Sequence, residues 1–265
     1  MSILDAAAPP SVGAVTVTIT GDAGRGKSIL AATFPEPIFI PFAGERLVLP
    51  PGFPPVKVLP TVTKSEQLWE QLQALTREDH PYKTVVIDSV TTAERMFTEE
   101  IIANDPKQPK SLQQAAGGYG AGYGILVSMH ARVRKLASYL AERKGINVVF
   151  IAHADTIKID PPNEESYTSY SLRLDKRTLP FYVDEVDVVG FLKLETTVIG
   201  EEGERKKAIS DGTRVLITYA TAENISKNRF GINKDLIVKI GENPLSAYVA
   251  ALRTKATETK KETKE

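Results

Sequence analysis

GDAGRGKS, residues 21–28, matches the pattern G-x-x-x-x-G-K-[ST], and its surroundings decide the fold. Before it, AVTVTITG (14–21) alternates at period two, as a strand does. After it, KSILAATF (27–34) reads as a short helix stopped ahead of Pro35. A strand, a glycine-rich turn and a helix start form the context in which such a turn cradles phosphate. Gly21, Gly24 and Gly26 let backbone N–H groups converge, and a helix N-terminus favours negative charge. The candidate contacts are Gly21, Asp22, Ala23, Gly24, Arg25, Gly26, Lys27, Ser28 and Ile29. Lys27 would reach the β- and γ-phosphates of ATP, and Ser28 would ligate Mg²⁺. A glycine-rich surface turn is the bland alternative.

Working outward, PIFI (37–40), VKVL (56–59), KTVVID (83–88) and INVVFIAH (146–153) read as strands. SEQLWEQLQALTRE (65–78), the stretch from Ser89 to Asp105 and ILVSMHARVRKLASYLAERKG (125–145) read as helices, with Ser65 as an N-cap of the first. Strands alternating with helices predict an α/β fold: a mostly parallel twisted sheet flanked by helices on both faces. FYVDEVDVVGFLKLETTVIG (181–200) and RVLITYAT (214–221) add antiparallel strands toward the C-terminus, and PLSAYVAAL (244–252) a last short helix. Residues 105–124 and 154–179 read as two long loops, which in compact domains are commonly functional. The expected organisation is an N-terminal arm (1–12), one core (13–252) and a charged tail (253–265).

The 265 residues carry 33 Lys+Arg and 33 Asp+Glu, so binding of nucleic acid would need local patches instead of a global field. The absence of cysteine excludes disulfides and thiolate metal sites, and His80, His130 and His153 lack ligand spacing. No basic-then-apolar leader and no apolar run of membrane-spanning length is present, which predicts a soluble cytoplasmic protein with no membrane partner.

Ligands of open parallel sheets bind at the carboxyl ends of the strands, where Gly21, Asp88 and His153 fall. Asp88 is a candidate to hold Mg²⁺ with Ser28, or else Asp88 or Ser89 simply caps the following helix. Glu45, just past the second strand, is a candidate for polarising the attacking water, or else a solvated loop acid. His153 is a candidate sensor of the γ-phosphate, or else a satisfied histidine at a strand end. Lys227 and Arg229 are cations in a turn that could reach a neighbouring subunit's phosphate, or else surface charges.

The order of these parts resembles the RecA-like P-loop ATPases, in particular short phage-encoded ATPases of recombination and single-strand annealing. GDAGRGKS looks like their Walker A loop, TVVIDS (84–89) like Walker B, and FIPFAGERL (39–47) like the segment carrying their catalytic glutamate. The family usually has its acid right after the strand, whereas here Pro41-Phe42-Ala43-Gly44 precede Glu45. His153 stands where the family usually has glutamine, and ISKNRFGI (225–232) is similar to the segment whose cations cross a subunit interface.

The resemblance implies a ring or filament with ATP between subunits, DNA-stimulated hydrolysis, and single-stranded DNA as partner, with a single-strand DNA-binding protein as a further one. It gives the two loops a DNA-contacting role, through Lys107, Lys110, Tyr119 and Tyr123 in the first and Arg173, Lys176 and Arg177 in the second, with Tyr167 and Tyr170 nearby. Ile3–Ala6 would be an apolar tether to a neighbour. Two other readings fit the same phosphate loop. One is a small-molecule kinase with LRLDKR (172–177) as its lid, and the other an ATP-gated assembly factor with little turnover.

Overall fold

The computed structural model describes residues 13–199 and 207–254, so the proposed arm with Ile3–Ala6 and the tail from residue 255 lie outside the described residues. The first strand, β1 (Thr16–Gly21), is buried along its whole length. Its valine and isoleucine, Val17 and Ile19, pack on one side of the sheet with Leu30 and Ala31 of α1 (Lys27–Ala31). Its threonines face the other side and are buried too: Thr18 donates to the Tyr182 carbonyl at 2.7 Å. The period-two pattern is therefore that of a two-sided core strand, with the Thr18 hydroxyl satisfied inside the protein, and not of a half-solvated one.

Four more parallel strands follow the same logic. They are β2 (Pro37–Pro41), β3 (Lys57–Val58), β4 (Thr84–Asp88) and the first half of β5 (Asn147–Ile159). Val148, Phe150 and Ala152 of β5 enter one core cluster, and Val149 and Ile151 enter the other. The first cluster lies under α2 (Ser65–Arg77), α3 (Val90–Ala103) and α4 (Ala121–Lys144). The second lies under α1 and two C-terminal 3-10 turns, Pro244–Ala247 and Ala250–Leu252.

With β7 (Val188–Leu194), β10 (Arg214–Ile217) and β12 (Leu236–Val238), the sheet order is β12-β10-β7-β1-β5-β4-β2-β3. Pairing is parallel from β3 through β7 and antiparallel beyond it. This is the expected α/β architecture, with its antiparallel strands toward the C-terminus.

Several local expectations need correction. Ser65 is the first residue of α2 and not its cap. The chain enters the helix at Lys64, whose N–H donates to Gln67 Oε1, while the Ser65 N–H donates to Glu100 Oε1 at 2.7 Å. Helix α4 begins at Ala121, four residues earlier than predicted, because Gly120 supplies a left-handed turn at its start (φ 82°). Tyr123 is thus on the first turn of a helix, not in the loop.

The second long loop is largely a hairpin. β5 runs on past His153 to Ile159 and pairs antiparallel with β6 (Tyr167–Leu172). Residues 155–158 are exposed on both faces, so no buried alternation marked them as strand. The segment read as strand at Phe181 begins with a short helix, α5 (Pro180–Val183), packed through the fully buried Tyr182. A two-stranded ribbon of β8 (Thr197–Ile199) and β9 (Lys207–Ile209) flanks the undescribed residues 200–206. PLSAYVAAL forms the two 3-10 turns instead of an α-helix.

Candidate nucleotide site

The parallel register sets the site. Gly21 lies opposite His153, while Asp88 lies opposite Ile151 and Pro41 opposite Asp88. Gly21, Asp88 and His153 therefore meet at one edge of the sheet, although His153 is inside β5 and not at its end.

Gly21 is required by space. Its φ is 151°, and a Cβ there would stand 2.3 Å from the Leu192 carbonyl oxygen. Past it, Asp22, Ala23 and Gly24 form an exposed apex, and Gly24 (φ 74°) and Gly26 (φ 95°) turn the chain into α1. Arg25 pairs with Asp22 at 3.5 Å, and Arg214 of β10 donates from Nε to the Arg25 carbonyl at 2.9 Å. The antiparallel side of the sheet thus props the loop from below, a support for which the motif itself carries no signal. Ile29 is half-buried in α1.

Lys27 is buried, and its Nζ donates to the carbonyls of Gly21 and Asp22, each at 2.9 Å. Burial lowers its pKa, and Asp88, Glu45 and Asp22 oppose that shift. Ser28 Oγ donates to Asp88 Oδ2 at 2.7 Å. Burial raises the Asp88 pKa, against the Ser28 hydrogen bond. A hydroxyl and a carboxylate touching at the foot of a phosphate loop are hard oxygen donors of the kind Mg²⁺ takes from protein, with the rest of its shell from water and phosphate. No cluster of three His, Cys, Asp or Glu exists among the described residues, so a metal held wholly by protein is not offered there.

Glu45 is not a solvated loop acid. Its Oε1 accepts from Ser89 Oγ (2.8 Å) and Thr92 Oγ1 (2.7 Å) and contacts His153 Nε2 (3.0 Å). The His153 hydrogen bond, with those from Thr92 and Ser89, holds its pKa down at about 2 despite partial burial. Glu45 Oε2 has no hydrogen-bond partner among the described residues. His153 is positioned in turn by its own N–H, which donates to Thr91 Oγ1 at 3.0 Å.

Ser89 caps α3 by accepting from the Thr92 N–H, as the sequence allowed; sequence reasoning did not single out that Ser89, Thr91 and Thr92 also form a set of hydroxyls positioning Glu45 and His153. Its only trace is the hydroxyl-rich run SVTT after Asp88. Thr91 and Thr92, with Glu45 and His153, open onto a cleft of about 570 Å³ lined also by Gly44, Glu94, Arg95 and Arg173, whereas Ser89 is fully buried.

The remaining candidates are spread more widely. Lys107, Lys110 and Tyr119 lie on the 105–120 segment, where Tyr119 is fully exposed while Leu112 and Ala115 anchor the segment in the core. Arg177 stacks over Tyr123 at 4.1 Å and pairs with Asp175 at 3.2 Å, joining the second segment to the start of α4. Lys176 is exposed, and Arg173 faces the cleft. Tyr170 stacks on Phe191 at 4.8 Å and Tyr167 is surface-exposed on β6.

Lys227 is in β11 (Lys227–Asn228), which pairs with the amino half of β7, and its Nζ donates to the Asp184 carbonyl at 2.7 Å. Arg229 pairs with Asp187 at 3.3 Å. Since Val17 is level with Val188 and Val188 with Asn228, these cations sit at the far end of β1 from Gly21, about 13 Å away along the strand at roughly 3.3 Å per residue.

A family model described as an AAA domain matches residues 14–230, from the start of β1 through β11. The chain belongs to the AAA domain family of P-loop ATPases. No curated protein matches it. Among solved structures, a crystal structure of the RadB recombinase is similar at 14% identity, with 87% of this chain and 90% of that chain covered and a TM-score of 0.48. None of the helices of the AAA domain, among the described residues, is long and apolar enough to cross a membrane.

Proposed function

We propose that this AAA domain protein is a Mg²⁺-dependent ATPase that oligomerises and binds single-stranded DNA to promote homologous recombination or strand annealing in a cytoplasm. The observation that carries the ATPase reading is the joined pair of contacts at one sheet edge. Ser28 meets Asp88 beneath the phosphate loop, and Glu45 meets His153 beside it.

In this reading Lys27 leaves the Gly21 and Asp22 carbonyls for the β- and γ-phosphates of ATP. Its lowered pKa reflects a burial cost that a polyphosphate would offset. Ser28 and Asp88 would hold Mg²⁺, which would supply charge neutralisation at the phosphates. Glu45 Oε2 orients the attacking water. A carboxylate held near pKa 2 is a poor proton acceptor, so positioning is the larger part of its work until the terminal phosphate raises its basicity. His153, hydrogen-bonded to the same carboxylate, senses whether the terminal phosphate is present.

The finer statements rest on other supports. The order of motifs resembles the short phage-encoded recombination and annealing ATPases. Lys227 and Arg229 stand away from their own phosphate loop, as residues acting on a neighbour's nucleotide must. Lys107, Lys110, Tyr119, Tyr123, Lys176 and Arg177 put cations and rings on two segments that touch, which suits a polynucleotide whose phosphates meet charge and whose bases stack. A single-strand DNA-binding protein remains a proposed partner on the resemblance alone.

The test is ATP turnover with and without single-stranded DNA, on wild type and Lys27→Ala. The expected result is stimulation by DNA in wild type and loss of turnover in the variant. Turnover indifferent to both polynucleotide and protein concentration would sink the recombination reading. Glu45's low proton affinity favours one second reading, an ATP-gated assembly factor with little turnover. In that case Glu45→Gln leaves both assembly and turnover unchanged.

A further inference from the structure

The structure assigns Arg173 to the terminal phosphate of the nucleotide bound by its own chain, as an intramolecular cation at the mouth of the Glu45–His153 cleft and not as a polynucleotide contact. The inference rests on the ATPase reading above and adds a residue to that site.

Arg173 follows β6 directly, and the hairpin returns it to the edge where β5 leaves the parallel sheet. Its N–H donates to the His153 carbonyl at 2.8 Å, and its Nη2 donates to the Ala154 carbonyl at 3.1 Å. Backbone and side chain are thus both tied to the strand that carries the candidate sensor. The residue lines the same cleft as Gly44, Glu45, Thr91, Thr92 and His153. Its charge is close enough to contribute, as the smallest of the named causes, to the lowered pKa of Lys27.

Some other arginines are committed to carboxylates, although Arg95, on the same cleft, has no ion pair among the described residues either. Arg25, Arg134, Arg177 and Arg229 each have a carboxylate within 4 Å, at Asp22, Glu185, Asp175 and Asp187. Arg173 forms no ion pair among the described residues, although Glu45 lines the same cleft. A guanidinium anchored by one nitrogen and left without a counter-ion suits an anion arriving in the cleft. Its planar fork matches phosphoryl oxygens in pairs. Lys176 and Arg177, three and four residues on, are exposed, and Arg177 is taken up by Asp175 and the Tyr123 ring. The segment therefore divides by neighbour and not by exposure: Arg173, itself exposed, lines the Glu45–His153 cleft, while Arg177 is committed to Asp175 and Tyr123.

Three measurements on full-length wild type, Arg173→Ala and Arg173→Lys test this: affinity for ADP and for ATPγS, turnover without DNA, and affinity for single-stranded DNA without nucleotide. Arg173→Ala should keep ADP affinity within about twofold and weaken ATPγS by about tenfold or more, as loss of a charge-assisted contact to the third phosphate would. Turnover without DNA should fall by about 10³-fold, the lower range for a charge-stabilising arginine. DNA affinity should be unchanged. Arg173→Lys should restore much of the ATPγS affinity but little turnover, because a point charge lacks the fork.

Unchanged nucleotide affinities and turnover with weakened DNA binding would overturn the assignment in favour of a polynucleotide contact. No change in any of the three would reduce Arg173 to a surface charge and overturn it equally. Should the alanine variant fold poorly, the lysine variant's split between ATPγS affinity and turnover decides. A wild type that binds neither nucleotide sinks the ATPase reading itself, a failure distinct from a normal wild type with an indifferent Arg173.

Discussion

Glu45 shows how far a tertiary contact can move a residue's chemistry. Three donors on one carboxylate oxygen hold its pKa from 4.5 down to about 2. The folded pKa is below the unfolded one, so the stabilisation is complete above about pH 4.5 and drains away as pH falls toward 2. Its size is on the order of a few kcal/mol, since a tenfold change in proton affinity corresponds to about 1.4 kcal/mol. Glu45→Gln should therefore melt lower than wild type at about pH 7, and the gap in Tm should narrow between about pH 5 and 3. A gap independent of pH would refute the charged hydrogen-bond account. Gly21 makes a steric prediction. A Cβ 2.3 Å from the Leu192 carbonyl forces β1 and β7 apart at the phosphate loop. Gly21→Ala should cost about 2 kcal/mol or more, in the range of overpacking and strained φ, and weaken nucleotide binding as well. Equal denaturant midpoints for variant and wild type would show that the sheet gives way freely.

Helix α3 is the element that ties the site to the rest of the fold. Asp88 and the capping Ser89 lead into it, and its second turn carries Glu94. The Glu94 carboxylate accepts from the Asp175 N–H at 2.7 Å and from the buried Thr178 hydroxyl, and Oε2 lies 3.4 Å from His130 Nε2 on α4. His130 is neutral, its pKa pushed down to about 3 by burial, with Nδ1 2.7 Å from the Tyr182 hydroxyl. Three elements thus converge on one carboxylate: α3, α4 and the 173–179 segment. Glu94→Ala would leave the buried Thr178 hydroxyl and the Asp175 N–H without their acceptor, at about 1–3 kcal/mol. Amide exchange in residues 175–183 should speed up in this variant while that of β1 and β4 stays close to wild type. Uniform acceleration across the sheet would mean that Glu94 supports the global fold and not this junction.

At the scale of the whole molecule, the far position of Lys227 and Arg229 predicts a site shared between copies. Lys27→Ala and Arg229→Ala should each be inactive alone. Mixed in equal amounts they should recover activity, because some interfaces would pair an intact phosphate loop with an intact Arg229. No recovery in a mixed assembly that demonstrably forms would argue that Arg229 serves only its ion pair with Asp187.

The phosphate loop, the order of strands and helices, and the carboxylate after VVI were legible in the sequence because each depends on local chemistry. Glycine supplies turns, period two marks a strand, and Ser89 caps the helix it precedes. The extension of β5 and the β6 hairpin were not legible, because a strand exposed on both faces carries no burial signal. The binding candidates Arg173 and Arg177 are four residues apart in the chain and identical in type, yet one faces the cleft and the other a tyrosine ring. GDAGRGKS by itself determined that β1 ends in a phosphate-cradling turn, since that needs only glycine φ freedom, a lysine and a hydroxyl at fixed spacing. Only the tertiary structure decided what stands around it. Parallel register sets Gly21 beside His153, and the crossover to β2 brings Glu45 onto the hydroxyls of α3. These are contacts across 44 to 132 residues of chain, which no local pattern can encode.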